Sequence, residues 1–264
     1  MTTDAWAVAQ ELAQGETQAG FRPVRKRTAN ELRAHGIISG DDVLDPEWQR
    51  LLSVLGRAPV VQRILASHRD VTLHTDVVVL PDIALAVTQR RTSTHDPAGP
   101  RAVTGVELAV EVVLFGHDEI WRVVRRVIPD IPALRADADP SVPEEPISVS
   151  DEDQARVAAI TKMRHGARPS SREAIDLMRD PDPRLRDLLD AEAEVSVLGL
   201  ARRPGRSHVD VQQWSVGRQG LYLSRTQESD DTALLMEVGP GHLGAEVERG
   251  LDRLIAFARG TAAA

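Results

Sequence analysis

Three glycines raise the question of chemistry. Gly239, Gly241 and Gly244 lie in "EVGPGHLGAEVERGL", residues 237–251, with the spacing G-x-G-x-x-G. A run of apolar residues enters this stretch and a helical pattern leaves it. That layout lets backbone amides at a helix N-terminus cradle the pyrophosphate of a dinucleotide. The motif also needs a βαβ unit, with a second strand ending in an acidic residue about twenty positions on. No second strand follows here, so the pattern reads first as a strand–helix turn. A small-molecule or nucleotide-binding enzyme built on Gly239–Gly244 is the alternative reading.

Other chemistry is thinly encoded. The eight histidines, His35, His68, His74, His95, His117, His165, His208 and His242, form neither H-x-x-x-H nor H-E-x-x-H, so no helix-borne zinc site is written. Ser207 precedes His208, but the nucleophile elbow G-x-S-x-G is absent. There are no cysteines, which removes disulfides, thiolate catalysis and thiolate metal sites together. Asp137 and Asp139 could touch a cation, yet in an acidic, proline-rich segment solvation explains them. Arg122, Arg125 and Arg126, with "RPVRKR" near the N-terminus, suggest a nucleic-acid surface. Against that stand a formal net charge of −8 and an aromatic content of 3%, which leaves no stacking platform. No catalytic motif emerges, no cofactor or metal is expected, and the residues favour a binder over an enzyme.

The elements that would position these residues follow from periodicity. Residues 4–14 read as a helix. Asp45 caps a helix that Pro46 opens, with Leu51, Leu52 and Leu55 on its buried side. "VVQRILAS" is open between strand and helix. "VTLHTDVVVL", "IALAVTQRR" and "GVELAVEVVLF" are β-type runs. A helix follows with Ile120, Val123, Val124, Val127 and Ile128 in one stripe, ended by Pro129. Residues 129–149 form a linker, with five prolines between Pro129 and Pro146. Helical patterns over residues 150–192, four β-type runs from "EVSVLGLARR" to "TALLMEV", and a closing amphipathic helix from His242 complete the chain. "WSVGRQGLYLSR" reads as a hairpin turning at "GRQG", with Trp214 and Tyr222 as core residues or a cross-strand pair.

The order of elements repeats. At 264 residues the chain is one large domain or two small ones. We read a single α+β domain whose halves, approximately 30–130 and 150–260, share the same succession of helices and strands. The N-terminus has no basic region and no long apolar run, so no signal peptide is expected. The most apolar stretch, Val77–Val87, is cut by Pro81 and Asp82 and is too short to span a bilayer. A soluble, cytoplasmic protein is the expectation.

Several of these stretches resemble the EspG family, the cytosolic chaperones of type VII (ESX) secretion in actinobacteria. "ELRAHGIISGDDVLDPEWQRLLSVLGRAP" is similar to that family's leading helix, turn and leucine-rich helix. "EIWRVVRRVIPDIPAL", "VGRQGLYLSRT" and "EVGPGHLGAEVERGLDRLIA" are similar to its mid-chain helix, its hairpin and its closing strand and helix. The resemblance covers approximately residues 30–260. It implies a quasi-two-fold fold with a central, largely antiparallel sheet flanked by helical bundles. It implies binding of a PE–PPE heterodimer or related helical substrate through an apolar tip, without catalysis, cofactor, nucleic acid or membrane. The loop Thr92–Arg101 and the face of "GVELAVEVVLF" are the expected contact surface, with His95, Asp96, Glu107 and Glu111 as its polar rim.

Overall fold

The computed structural model describes residues 1–15, 26–41, 43–55, 57–94, 102–147, 187–188, 190–226 and 233–261. The helices expected between residues 150 and 186 lie outside the described residues.

Among the described residues, one antiparallel sheet of nine strands organises the molecule. Its strands are β1 (Val60–His68), β2 (Val71–Val79), β3 (Ala84–Thr94), β4 (Ala102–Phe115), β5 (Glu144–Pro146), β6 (Ala193–Arg203), β7 (Arg206–Val216), β8 (Leu221–Thr226) and β9 (Ala233–Val238). They lie side by side in the order β4-β3-β2-β1-β6-β7-β8-β9-β5. Two meanders run outward from the central β1–β6 pair. That pair is in register over its whole length, from Val60 opposite Ala201 to His68 opposite Ala193. The turns are tight. Arg69 takes a φ of 55° between β1 and β2, and Gly205 takes a φ of 73° between β6 and β7. The second is a position where glycine avoids the Cβ penalty. "VVQRILAS" is therefore a strand.

Helices cover both faces. On one face lies α6 (His242–Arg259; α1 to α5 are defined below), packed on β6, β7 and β1. Leu243, Val247, Leu251, Leu254 and Phe257 recur at helical spacing and are buried against Val60, Ile64, Val195, Val197 and Trp214. The helix closes in a Schellman motif. Gly260, at φ 73°, donates its N–H to Phe257 O at 3.0 Å, and Thr261 N–H reaches Ala256 O at 3.0 Å. The same face holds the short helix α4 (Ile120–Val124), preceded by a 3-10 turn at His117–Glu119. The stripe predicted for one continuous helix is buried at all five positions, but regular helix stops at Val124. Arg126 and Val127 bond back three residues, as the chain tightens towards Pro129, which disfavours helical geometry at the residue before it.

On the other face, α1 (Thr3–Gly15), α2 (Lys26–Ala34) and α3 (Pro46–Leu55) pack together over β3 and β4. Trp6, Ala9, Leu32, Leu52, Leu85 and Val110 form this second core. Asp45 Oδ1 accepts from the N–H of Glu47 at 2.9 Å, which is the expected cap of α3. The proline-rich segment is built in: Leu134, on the single-turn helix α5 (Pro132–Arg135), is buried, and β5 pairs with β9. Arg135 fixes the turn by donating Nε and Nη2 to Ile128 O, at 2.8 and 2.6 Å.

Leu254 is 1% exposed and sits over Gly199 of β6, where no side chain intervenes. Leu254→Ala leaves a cavity in this core and lowers stability by about 2–5 kcal/mol, measured by chemical denaturation.

Candidate functional site

The glycine turn can be judged first. Gly241 precedes α6 at φ 92°, so its conformation requires glycine. The space a phosphate would need is filled by the chain itself. A Cβ on Gly241 would lie 2.7 Å from Asp137 O and 3.0 Å from Asp139 Cβ. One on Gly244 would lie 2.8 Å from the indole of Trp121 and 3.1 Å from Ala138 Cα, and one on Gly239 would lie 3.2 Å from Val142 Cγ1. Asp139 N–H donates to Gly241 O at 3.2 Å. The three glycines admit the segment 137–142, and a backbone occupies the cradle. Gly241→Ala is expected to cost about 1–3 kcal/mol through backbone strain alone, read as a lowered thermal midpoint.

Beside this turn lies a buried charge network. His242 opens α6 and is fully buried. The indole N–H of Trp214 donates to its Nδ1 at 3.1 Å, and its Nε2 lies 3.0 Å from Glu144 Oε1. An indole only donates, so Nδ1 is unprotonated and Nε2–H donates to the carboxylate. Glu144 takes a two-pronged ion pair from Arg225, with both contacts at 2.9 Å. Arg225 Nη2 also reaches Glu246 at 3.0 Å. Glu246 is buried and accepts from Gln212 at 3.0 Å, Arg249 at 2.7 Å and Arg253 at 3.3 Å. Burial would raise both carboxyls. Hydrogen bonds from His242 and Arg225 outweigh it at Glu144, and Gln212 with three arginines outweighs it at Glu246, so both sit below the usual range.

Glu144, His242 and Glu246 bring three ligand-type atoms within 4.8 Å of one another. They do not suit a metal. The Arg225 guanidinium holds the cation position between the carboxylates, and both nitrogens of His242 are already engaged. A cavity of 430 Å³ opens onto the network between Asp210, Gln212, Arg225 and Arg253. Charges there balance, three arginines against Glu144, Glu246 and Asp210. This group was missed in the sequence, although His242, Glu246, Arg249 and Arg253 recur at helical spacing. Their partners come from β5, β7 and β8.

The arginines of the mid-chain helix line a cavity of 670 Å³. Arg122 pairs with Glu119, Arg125 with Asp137 at 2.5 Å, Arg126 with Glu111 at 2.8 Å and Arg135 with Asp130 at 3.0 Å. Each positive charge is matched, which removes the field a polyanion would need.

Among the described residues, one partly open apolar surface lies on the α1 face, at the sheet centre, and β4 carries further exposed apolar side chains at Val103, Val106, Leu108 and Leu114. Strand alternation and register set Val61, Arg63 and Leu65 of β1 beside Leu198 and Leu200 of β6, and these beside Val209 and Val211 of β7. Leu65, Leu198 and Val209 are 37%, 36% and 41% exposed. Towards β3 and the Val110–Val112 part of β4 this face is covered by α1–α3, and towards β8 and β9 Gln213, Ser224, Tyr222 and Leu235 are buried. The strip between is apolar and open, crossed by one ion pair. Arg63 Nε donates to Asp76 Oδ1 at 2.7 Å, and His74 Nε2 stands 3.5 Å from the same oxygen. Partial burial would raise Asp76, but His74 and Arg63 prevail and hold it at about 2.

Two of the four expected rim residues can be placed. Glu107 and Glu111 lie on edge strand β4 and turn to the α6 face, where they pair with Arg90 at 3.4 Å and Arg126 at 2.8 Å. His95 and Asp96 lie outside the described residues. Trp214 and Tyr222 are both core residues but not a pair: Trp214 stands opposite Leu223 and Tyr222 opposite Ser215, on different faces. The Tyr222 hydroxyl donates to Asp187 at 3.1 Å.

Removing Glu246 leaves three arginines around an uncharged amide. Glu246→Gln lowers stability at neutral pH by about 1–3 kcal/mol, since Arg249 and Arg253 stay partly solvated and Arg225 keeps Glu144. Because Glu144 and Glu246 are held below their ordinary range, the network's contribution is complete above the ordinary glutamate range and fades as pH falls through the folded values. Denaturant curves therefore lose stability on acidification in the wild type, with a shallower loss in Glu246→Gln.

No protein-family model matches this chain, and no curated protein matches it in sequence. A solved structure does match in fold: the type VII secretion system chaperone EspG5 of Mycobacterium tuberculosis, in complex with the PE25–PPE41 dimer. The superposition covers 97% of this chain and 95% of that one, with a TM-score of 0.53 and 15% sequence identity. The chain is thus a mixed α/β protein with a large antiparallel sheet, distantly EspG-like in fold. No helix among the described residues is long and apolar enough to cross a membrane.

Proposed function

We propose that this chain is a chaperone or adaptor of type VII secretion that binds a helical PE–PPE-type heterodimer in the cytoplasm and keeps it soluble for export. It acts by binding, without a catalytic step. The observation that carries this reading is the open apolar strip at the sheet centre, in a fold shared with a protein solved as such a chaperone. Apolar side chains left exposed together mark an interaction site. A helical partner with an apolar end loses exposed surface when it docks there, and the docked pair is protected from aggregation. The quasi-two-fold arrangement with flanking helical bundles belongs to the same reading.

On this reading the main contacts lie at the strip. The loop carrying His95 and Asp96 and the edge strand carrying Glu107 and Glu111 serve as a separate polar contact at the sheet margin, since those two carboxylates turn to the face opposite the strip. Central apolar contacts dominate affinity and rim charges tune it. The enzyme reading that would use Gly239–Gly244 loses its support, since segment 137–142 fills that cradle.

Co-expression with the PE–PPE pair of the same locus, followed by size-exclusion chromatography, tests the proposal. The wild type co-elutes with the pair and keeps it soluble. Leu198→Glu weakens binding by at least ~30-fold, the scale of a central interface residue. Its own stability changes by less than about 0.5 kcal/mol, because the side chain is at the surface. The double charge reversal Glu107→Lys, Glu111→Lys weakens binding less. A Leu198→Glu protein that still co-elutes with undiminished affinity moves the site off the strip.

A further inference from the structure

The ion pair within the strip has a consequence for what can cover it. Arg63 and Asp76 sit on neighbouring strands, Arg63 directly opposite Asp76. Arg63 spends Nε on Asp76 Oδ1 at 2.7 Å and Nη2 on Oδ2 at 3.4 Å. Its Nη1 has no partner among the described residues, and its side chain is 48% exposed. Leu198 is its opposite neighbour on β6, and Val61 and Leu65 flank it along β1. An apolar partner laid on this strip would dehydrate the guanidinium, and donors dehydrated without acceptors oppose binding.

The partner must therefore bring acceptors into the middle of an apolar contact. A partner carboxylate is a poor match, because Arg63 is already neutralised by Asp76 and a second full negative charge would stand close to the first. The C-terminal end of an α-helix fits better. It presents unbonded carbonyl groups and only a fractional negative charge, and apolar side chains of its last turn can surround them. Planar guanidinium donors suit such a group of carbonyls. We infer that Arg63 is the specificity-determining anchor of this face, that it receives the C-terminal carbonyls of a partner helix, and that Asp76 is the positioning residue that holds its guanidinium upright. This rests on the docking function proposed above.

The test measures affinity for the PE–PPE pair by isothermal titration calorimetry, using the full-length chain. Arg63→Ala weakens binding ~10- to 100-fold, as expected of a central anchor, while the thermal midpoint of the free protein falls only slightly, as the loss of a half-exposed ion pair implies. Arg63→Lys restores only part of the loss, since an ammonium lacks the fork that Asp76 grips. Asp76→Asn weakens binding in the wild type but has no further effect in Arg63→Ala, because it acts only through Arg63. Wild-type affinity changes less than ~3-fold from ~0.05 to ~0.5 M salt, as a fractional charge demands. Undiminished affinity in Arg63→Ala, with Leu198→Glu still disruptive, overturns the anchor and leaves the docking surface standing. A steep salt dependence, abolished by Arg63→Ala, also overturns it and assigns a carboxylate instead. If the wild type binds no pair at all, the docking function itself fails and the anchor falls with it.

Discussion

The ladder between β1 and β6 is the interaction on which everything else rests. Each of the two strands ends a meander of its own, and within the sheet their nine in-register residue pairs join the meanders. Without this ladder, β1 and β6 would each expose a full edge, and α6 would have no continuous surface to lie on. With it, Ile64 and Val197 stand opposite each other at the centre of one core. The same pairing that closes this core also aligns Arg63 with Leu198 on the reverse face. The hydrophobic centre on one side and the open strip on the other are thus two products of one register.

The two faces solve different problems. On the α6 face the sheet carries polar residues where the edge is approached, and the helix answers with Glu246, Arg249 and Arg253. Glu144 belongs to a strand of three residues, too short to hold its place by main-chain bonding. Its ion pair with Arg225 and its contact with His242 supply the attachment, and segment 137–142, seated on the glycine turn, supplies more. On the α1 face the helices α1–α3 stop short of the sheet centre, where Leu65, Leu198 and Val209 stay part-exposed and are the ones the core does not require.

Much of the scaffold was legible in sequence, and the reasons are local. Asp45 and Pro46 define the start of α3, and the spacing of Leu243, Val247, Leu251 and Leu254 defines α6 almost to the residue. β1 was undecided because "VVQRILAS" puts apolar residues on both faces, as a strand with a core on one side and a bare strip on the other must. The strip itself could not be read. It depends on pairing Leu65 and Leu198, which lie in different halves of the chain. The network around Glu246 shows the same limit: its helical residues have a recognisable spacing, while Glu144 and Arg225 reach it only through the sheet. The glycine pattern was legible as a turn, but its purpose, to let another backbone approach, was visible only in three dimensions.

Both margins of the sheet are interrupted. β5 is three residues long and ends at Pro146, and β4 shifts register twice against β3 and is met by Met1 and Thr2 at Val110 and Ala109. Such margins resist lateral growth by strand addition, the route by which exposed sheets polymerise. Contact with another molecule is left to side chains standing off the sheet plane, where a single replacement alters the surface without disturbing the hydrogen-bonded lattice beneath.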